Sequence, residues 1–166
     1  MPKAPGQLIW LWLSLLVIAL DQASKYWFEH NLMLHDYIAV IPDLFGWTLA
    51  YNKGAAFSFL AEQGGWQRWF FAAVALFASA AIFIWMYRLK KSERWLGIAL
   101  ALVLGGALGN LYDRVFLGHV IDFILVHWQD RWFFPAFNIA DSAITVGAGM
   151  LIVDMFLHKK EEHNND

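Results

Sequence analysis

Cysteine is absent from the 166 residues, which excludes disulfides, thiol catalysis and Cys-based zinc or iron–sulfur centres. Charge is scarce: Asp, Glu, Lys and Arg together make up 16% of the chain, too little to cover so apolar a domain in water. Neither sign dominates, the formal net charge being -2, so nothing points to a nucleic-acid partner. Two catalytic signatures are missing as well. There is no His-Glu-x-x-His of a zincin and no Gly-x-Ser-x-Gly elbow. The outer histidines His30, His35, His119 and His127 follow no metal-binding spacing. Ser24 and Lys25 are sequence neighbours and point differently on a helix, which argues against a Ser/Lys dyad.

What fills the space is apolar. Hydrophobic residues make up 60% of the chain, and ten tryptophans are many for its length. Mean hydropathy is +0.46, as in a small integral membrane protein. Four runs, at 8–28, 67–88, 95–114 and 137–157, are long enough to cross about 30 Å of hydrocarbon as helices. Trp10, Trp12, Trp27, Trp66, Trp69, Trp85 and Trp95 mark their ends, where an indole meets both lipid and water. A water-soluble helix bundle is excluded by the shortage of polar residues. The first run, Lys3 then "LIWLWLSLLVIAL" then "DQAS", has the outline of a signal peptide cut near Ala23. It continues through "KYWF", however, with aromatic anchors, and so is read as a span.

Basic residues set the expected orientation. Arg88, Lys90, Lys91 and Arg94 lie between the second and third runs, and Lys159 and Lys160 lie in the tail. Both termini are therefore expected in the cytoplasm, and the long connections at 29–66 and 115–136 outside. "DYIAVIPDLFGWTLAYN", broken by Pro42-Asp43 and Gly46, reads as strand, turn, strand, and "HVIDFILVHW" as a further strand. These predict a mainly α membrane protein of one domain, with four spanning helices and a small antiparallel sheet on the outer surface. The polar tail "KKEEHNND" is expected to be disordered.

Ionisable residues in or beside spans are costly and therefore candidates for function. Asp21 and Lys25 are four apart and share a helix face, which suits an ion pair; Lys25 reaching a lipid-bearing ligand is the alternative. "GNLYDR" and "FNIAD" each contain Asn-x-x-Asp, pairing Asn110 with Asp113 and Asn138 with Asp141. At the start of the fourth run this resembles a capping box, with a carboxylate at a helix N-terminus. At the end of the third, Asp113 opposes the helix dipole and needs a partner elsewhere or a task; Arg114 cannot share its face. Asp122 stands in the apolar strand "HVIDFIL". The chain must return from there to begin the fourth run, so Asp122 and Asp141 can converge at the membrane surface. Two carboxylates in an apolar site share one proton, so that one activates water and the other polarises a carbonyl. A proton-coupled transporter, which would spread acids through the membrane depth, and a noncatalytic scaffold are the rival readings.

Five blocks, "DQASK", "YNKGAAFSF", "GGALGNLYDR", "GHVIDF" and "FNIAD", span nearly the whole chain. In their order and spacing they resemble the lipoprotein signal peptidase (signal peptidase II) family. The resemblance implies a four-helix peptidase of the bacterial inner membrane, working without metal or cofactor, its site toward the periplasm. Its substrates would be prolipoproteins carrying diacylglycerol on the cysteine that follows the signal peptide, cut just before that cysteine. It further implies Asp122 and Asp141 as the catalytic pair. Asn52, Gly54, Asn110, Arg114, Asn138 and Ala140 would line the site or orient substrate, with Asp21, Lys25 and Asp113 in support. Membrane lipids and globomycin-type cyclic peptides are the other partners implied. The small residues of "LGGALG" are read as a seat for another helix, of this chain or of a signal peptide. The segment "GAAFSFLAEQGGW" is read as a lid over the substrate.

Overall fold

The computed structural model describes residues 6–54, 65–129 and 131–163, with side chains described as far as residue 157 in the last helix. A single 3-10 turn, Leu8–Trp10, leads into α1, Leu11–Asn31. There follow β1 (Tyr37–Ile41), β2 (Phe45–Asn52), α2 (Trp66–Arg88), α3 (Arg94–Phe116), β3 (Val120–Trp128), β4 (Trp132–Phe133) and α4 (Ile139–His163). Each of the four helices contains a stretch long and apolar enough to cross a membrane. The fold class read from the sequence therefore holds: mainly helical, with a small antiparallel sheet. Helix ends shift by a few residues from the expected runs, and both ends of α4 do so for local reasons. Phe137 is held to β3 by backbone hydrogen bonds with Ile124, so α4 begins at Ile139. The tail is helical through His163, because Lys and Glu at 159–162 are good helix formers and let α4 run on.

The helices are amphipathic in the reverse of the soluble sense. On α1 the buried face is Ser14, Val17, Asp21, Lys25 and Phe28, at helical spacing, while Leu15, Leu16, Leu20 and Trp27 face outward. Lipid takes the apolar side chains and the protein interior takes the charged ones. Helix α3 is central, its small residues admitting α1 and α4. A Cβ on Gly106 would overlap the Ala140 carbonyl of α4. One on Gly109 would come within 2.8 Å of Asp21 Oδ2 on α1. The "LGGALG" seat is thus filled by this chain's own helices. An apolar cluster of Met86, Leu89, Leu100, Ala101 and Leu104 holds the end near the α2–α3 loop, and polar groups gather at the end bearing the sheet.

The sheet has the order β1-β2-β3-β4, every pairing antiparallel. The β1–β2 turn is built on Pro42, with Asp43 at φ 61 and Leu44 N–H donating to the Ile41 carbonyl at 3.2 Å. Gly46, expected at the break, lies inside β2 instead, because a side chain there would collide with the Tyr37 ring. The pairing of β2 with β3 slips by one residue between Trp47 and Ala50, a bulge that sends both Thr48 and Leu49 into the interior. The expected lid falls largely on residues 55–64, which lie outside the described residues.

Candidate active site

Past the bulge, β2 and β3 resume with Ala50 opposite Asp122 and Asn52 opposite Val120. Asn52 and Asp122 are then diagonal neighbours on one face, and Asn52 Nδ2 donates to Asp122 Oδ2 at 3.2 Å. The opposite face of β3 is anchored by Phe123, whose ring stacks on Phe28 of α1 at 4.3 Å. Asp122 is 2% exposed. Burial pushes its carboxyl up from 3.8 to about 7, and the nearby charge of Asp141 adds to this. Hydrogen bonds from Asn52 and Asn138, and the charge of Lys25, oppose the rise without cancelling it.

The Ile124–Phe137 bridge ties the approach to α4 onto β3 and delivers the helix start to Asp122. The capping box read from "FNIAD" is present in both directions. Asp141 N–H donates to Asn138 Oδ1 at 2.9 Å, and Asn138 N–H to Asp141 Oδ2 at 3.3 Å. The cap's amide nitrogen meanwhile donates to Asp122 Oδ1 at 2.8 Å. One asparagine thus links the two acids that the sequence could only suggest would converge. Asn110 Nδ2 donates to Asp141 Oδ1 at 2.8 Å, so both oxygens of Asp141 are held.

Asp113 finds its partners across the bundle. Lys25 Nζ lies 2.8 Å from Asp113 Oδ2 and 2.7 Å from Asp21 Oδ2, with Asp21 and Asp113 wholly buried. The Asp21–Lys25 ion pair expected from spacing exists as part of a triad. The alternative, Lys25 reaching a lipid ligand, is overturned by its burial and by Asn110 Oδ1 taking its third hydrogen at 2.9 Å. Asp21 Oδ1 accepts from Ala140 N–H at 2.9 Å, a second cap on α4 supplied by α1. Asn138 and Ala140 are fully buried and brace the site from behind, while Asp141 is partly open.

Arg114, next to Asp113 in the last turn of α3, donates to the Gly54 carbonyl at 3.2 Å; Gly54 N–H in turn donates to Asn52 Oδ1 at 3.0 Å. Sequence reasoning missed two residues here. Gln22, within "DQASK", donates to Asp113 Oδ1 at 2.8 Å and approaches the Gly109 carbonyl at 3.3 Å. Arg68 of α2 donates to the Arg114 and Val115 carbonyls at 2.6 Å each, closing the C-terminus of α3 with a positive charge. In sequence Arg68 is no more than a basic residue at a span end, with no local signature of this role. The histidines disperse: His127 meets the Tyr37 hydroxyl at 2.6 Å, His119 lies against Tyr51, and His30 bonds its own helix. Ser24 donates to the Asp21 carbonyl at 2.8 Å, away from the Lys25 cluster.

A groove of about 580 Å³ opens beside this cluster. Asn52, Asp141, Ser142 and Thr145 stand in its otherwise apolar wall, so a mostly apolar groove reaches the cluster through Asn52 and Asp141, while Asp122 is not part of the lining. Such a surface suits a mostly apolar chain that carries polar groups where it meets Asp141.

Comparison with known proteins fits this geometry. The family model described as Signal peptidase (SPase) II matches residues 13–157. The lipoprotein signal peptidase of Pseudomonas fluorescens is 68% identical over 163 residues, covering 96% of each chain. That of Pseudomonas aeruginosa is 68% identical over 155 residues, covering 93% of this chain and 92% of its own. A bacterial membrane enzyme solved by the in meso method at 2.3 Å resolution superposes with a TM-score of 0.83 at 29% identity, covering 92% of this chain and 90% of that one. A second, at 1.9 Å resolution, gives 0.76 at 29% identity, covering 89% and 92%. With four apolar helices, a sheet seated on one end and a match over most of its length, the chain belongs to the signal peptidase II family.

Proposed function

We propose that this protein removes signal peptides from diacylglyceryl-modified prolipoproteins as an aspartic endopeptidase, cutting just before the lipidated cysteine. The observation that carries the reading is the pairing of Asp122 and Asp141 through Asn138, beside the groove that Asp141 lines. The peptidase activity follows the names of the relatives; the dyad chemistry follows from the two acids.

Asp141, at the start of α4 and facing two N–H donors, serves as the charged base. Asp122, buried and raised to about 7, carries the shared proton. Asp141 takes a proton from water as its oxygen bonds the scissile carbonyl carbon, while the Asp122 carboxyl hydrogen-bonds the carbonyl oxygen. Collapse of the tetrahedral centre breaks the carbon–nitrogen bond. Asp122 gives its proton to the departing nitrogen, the peptide ends in a new carboxyl, and the proton taken from water leaves the pair with its single shared proton. The acyl chains of the substrate lie in the groove along α4 and in the surrounding lipid. Globomycin-type cyclic peptides compete for the same groove. The site faces the periplasm and both termini face the cytoplasm, in an inner-membrane protein, a reading supported by the basic α2–α3 loop. A proton-transporting role fits less well, because Asp21, Asp113, Asp122 and Asp141 form one cluster at one end of the bundle.

The test is cleavage of a purified prolipoprotein in detergent, with and without its diacylglyceryl group, read by mass spectrometry. Only the lipidated form should be cut, leaving the modified cysteine as the first residue of the product. Equal cleavage of both forms refutes the substrate assignment.

A further inference from the structure

Each hydrogen of the Lys25 ammonium has its own acceptor: Asp21 Oδ2 at 2.7 Å, Asp113 Oδ2 at 2.8 Å and Asn110 Oδ1 at 2.9 Å. An ammonium donates and cannot accept, so what it meets on Asn110 is the carbonyl oxygen and never the amide nitrogen. The planar carboxamide is left with one orientation, its Nδ2 turned to Asp141 Oδ1 at 2.8 Å. Asn138 Nδ2 also approaches Asn110 Oδ1, at 3.2 Å, but shares its two hydrogens with Asp122 at 2.8 Å and the Ile121 carbonyl at 3.2 Å. Lys25 is the stronger constraint. Its two carboxylate partners extend the same control. Asp21 holds the N–H of Ala140, next to Asp141, and Asp113 Oδ2 lies 3.4 Å from the N–H of Ile121, next to Asp122.

We propose that Lys25 is a positioning residue for the aspartate pair: its ammonium fixes the Asn110 carboxamide so that an N–H donor, not a carbonyl oxygen, faces Asp141. The inference rests on the aspartic-peptidase reading above. A flipped amide would set a carbonyl oxygen against a carboxylate, with no hydrogen to share unless the carboxyl carried a proton. The base would then be lost without any change in the residues that meet the substrate. The charged groups around this path are Asp21 from α1, Asp113 and Arg114 from α3, Asp122 from β3 and Asp141 from α4.

Removing Lys25 alone would strand two buried carboxylates, so the test is made in an Asp113→Asn background. There, one carboxylate without the lysine carries the same net charge as two carboxylates with it. Lys25→Gln keeps an N–H donor for Asn110, and Lys25→Met keeps none. With lipidated prolipoprotein in detergent, K25Q/D113N should turn over within about fivefold of D113N. K25M/D113N should lose about 100-fold in kcat with KM within about twofold, and the acid limb of its pH profile should move up by about one unit. A folded K25M/D113N matching D113N in kcat and profile overturns the proposal, as does a K25Q/D113N that falls as far as the Met variant. Neutron diffraction of the unaltered protein decides the matter even where the Met variant does not fold. Deuterons on Asn110 facing Asp141 are expected; deuterons facing Lys25 overturn it. Turnover retained by Asp122→Asn would instead sink the aspartate reading itself, so the two failures are distinguishable.

Discussion

Asp122→Asn should stabilise the protein at high pH while disabling it. The carboxyl of Asp122 rises from 3.8 to about 7 on folding, so the folded state disfavours its ionised form by about 4 kcal/mol. For a raised group, the stability it contributes is complete below the unfolded value and is lost as pH climbs through the folded one. The neutral amide of Asn carries no such burden. By this linkage the parent's deficit relative to the Asn variant grows from about 2 kcal/mol at pH 5 to about 4 kcal/mol at pH 8. A constant offset of about 1 to 3 kcal/mol acts the other way, because Asn52 Nδ2 would face an amide nitrogen instead of a carboxylate oxygen. The growth of about 2 to 3 kcal/mol between the two pH values is independent of that offset. Thermal unfolding in detergent should show it as a Tm difference that widens by about 5 to 10 °C from pH 5 to pH 8. A Tm difference that stays flat across this range would refute the claim that a buried, proton-holding Asp122 exists.

Three further outcomes follow from the same geometry. If Asp122 supplies the proton, turnover should fall about tenfold per unit as pH rises beyond about 7, since the donor form is present below that value and absent above it; a kcat/KM profile level to pH 9 contradicts this. Gly106→Ala should cost about 1 to 3 kcal/mol, because its methyl would occupy the Ala140 carbonyl and push α4 from α3; an unchanged Tm would show that the helices are not in such contact. Asn138→Ala removes the cap of α4 and the link to Asp122, and should cost about 1 to 2 kcal/mol in stability together with most turnover. Full activity at native Tm would refute its bridging role.

What could be read from the sequence was what has a local signature. Four apolar runs became four helices because about 20 residues at 1.5 Å each span the hydrocarbon, whatever they pack against. The capping box is equally local: Asn138 and Asp141 are three apart and bond each other. The pairing of Lys25 with Asp113 has no such signature, since the two stand on different helices and meet only once α1 packs on α3. Gln22 has no such signature either: its role depends on a carbonyl and a carboxylate contributed by α3. The β2 bulge was hidden too. Thr48 and Leu49 continue an ordinary strand pattern, and only the pairing with β3 shows the extra residue that turns Asn52 toward Asp122. "LGGALG" announced a close helix approach without saying whose, and it took the contacts of Gly106 with Ala140 and Gly109 with Asp21 to name α4 and α1.

The central claim, that Asp122 and Asp141 together activate water against the scissile amide, is tested most directly by single-turnover cleavage of lipidated prolipoprotein. The unaltered protein, Asp122→Asn and Asp141→Asn would be compared, each shown to be folded by its thermal transition. Each substitution should lower the cleavage rate by about 10²- to 10⁴-fold, as loss of an acid or a base does. Either variant cleaving at near-native rate would contradict the account and leave "FNIAD" as a helix cap alone.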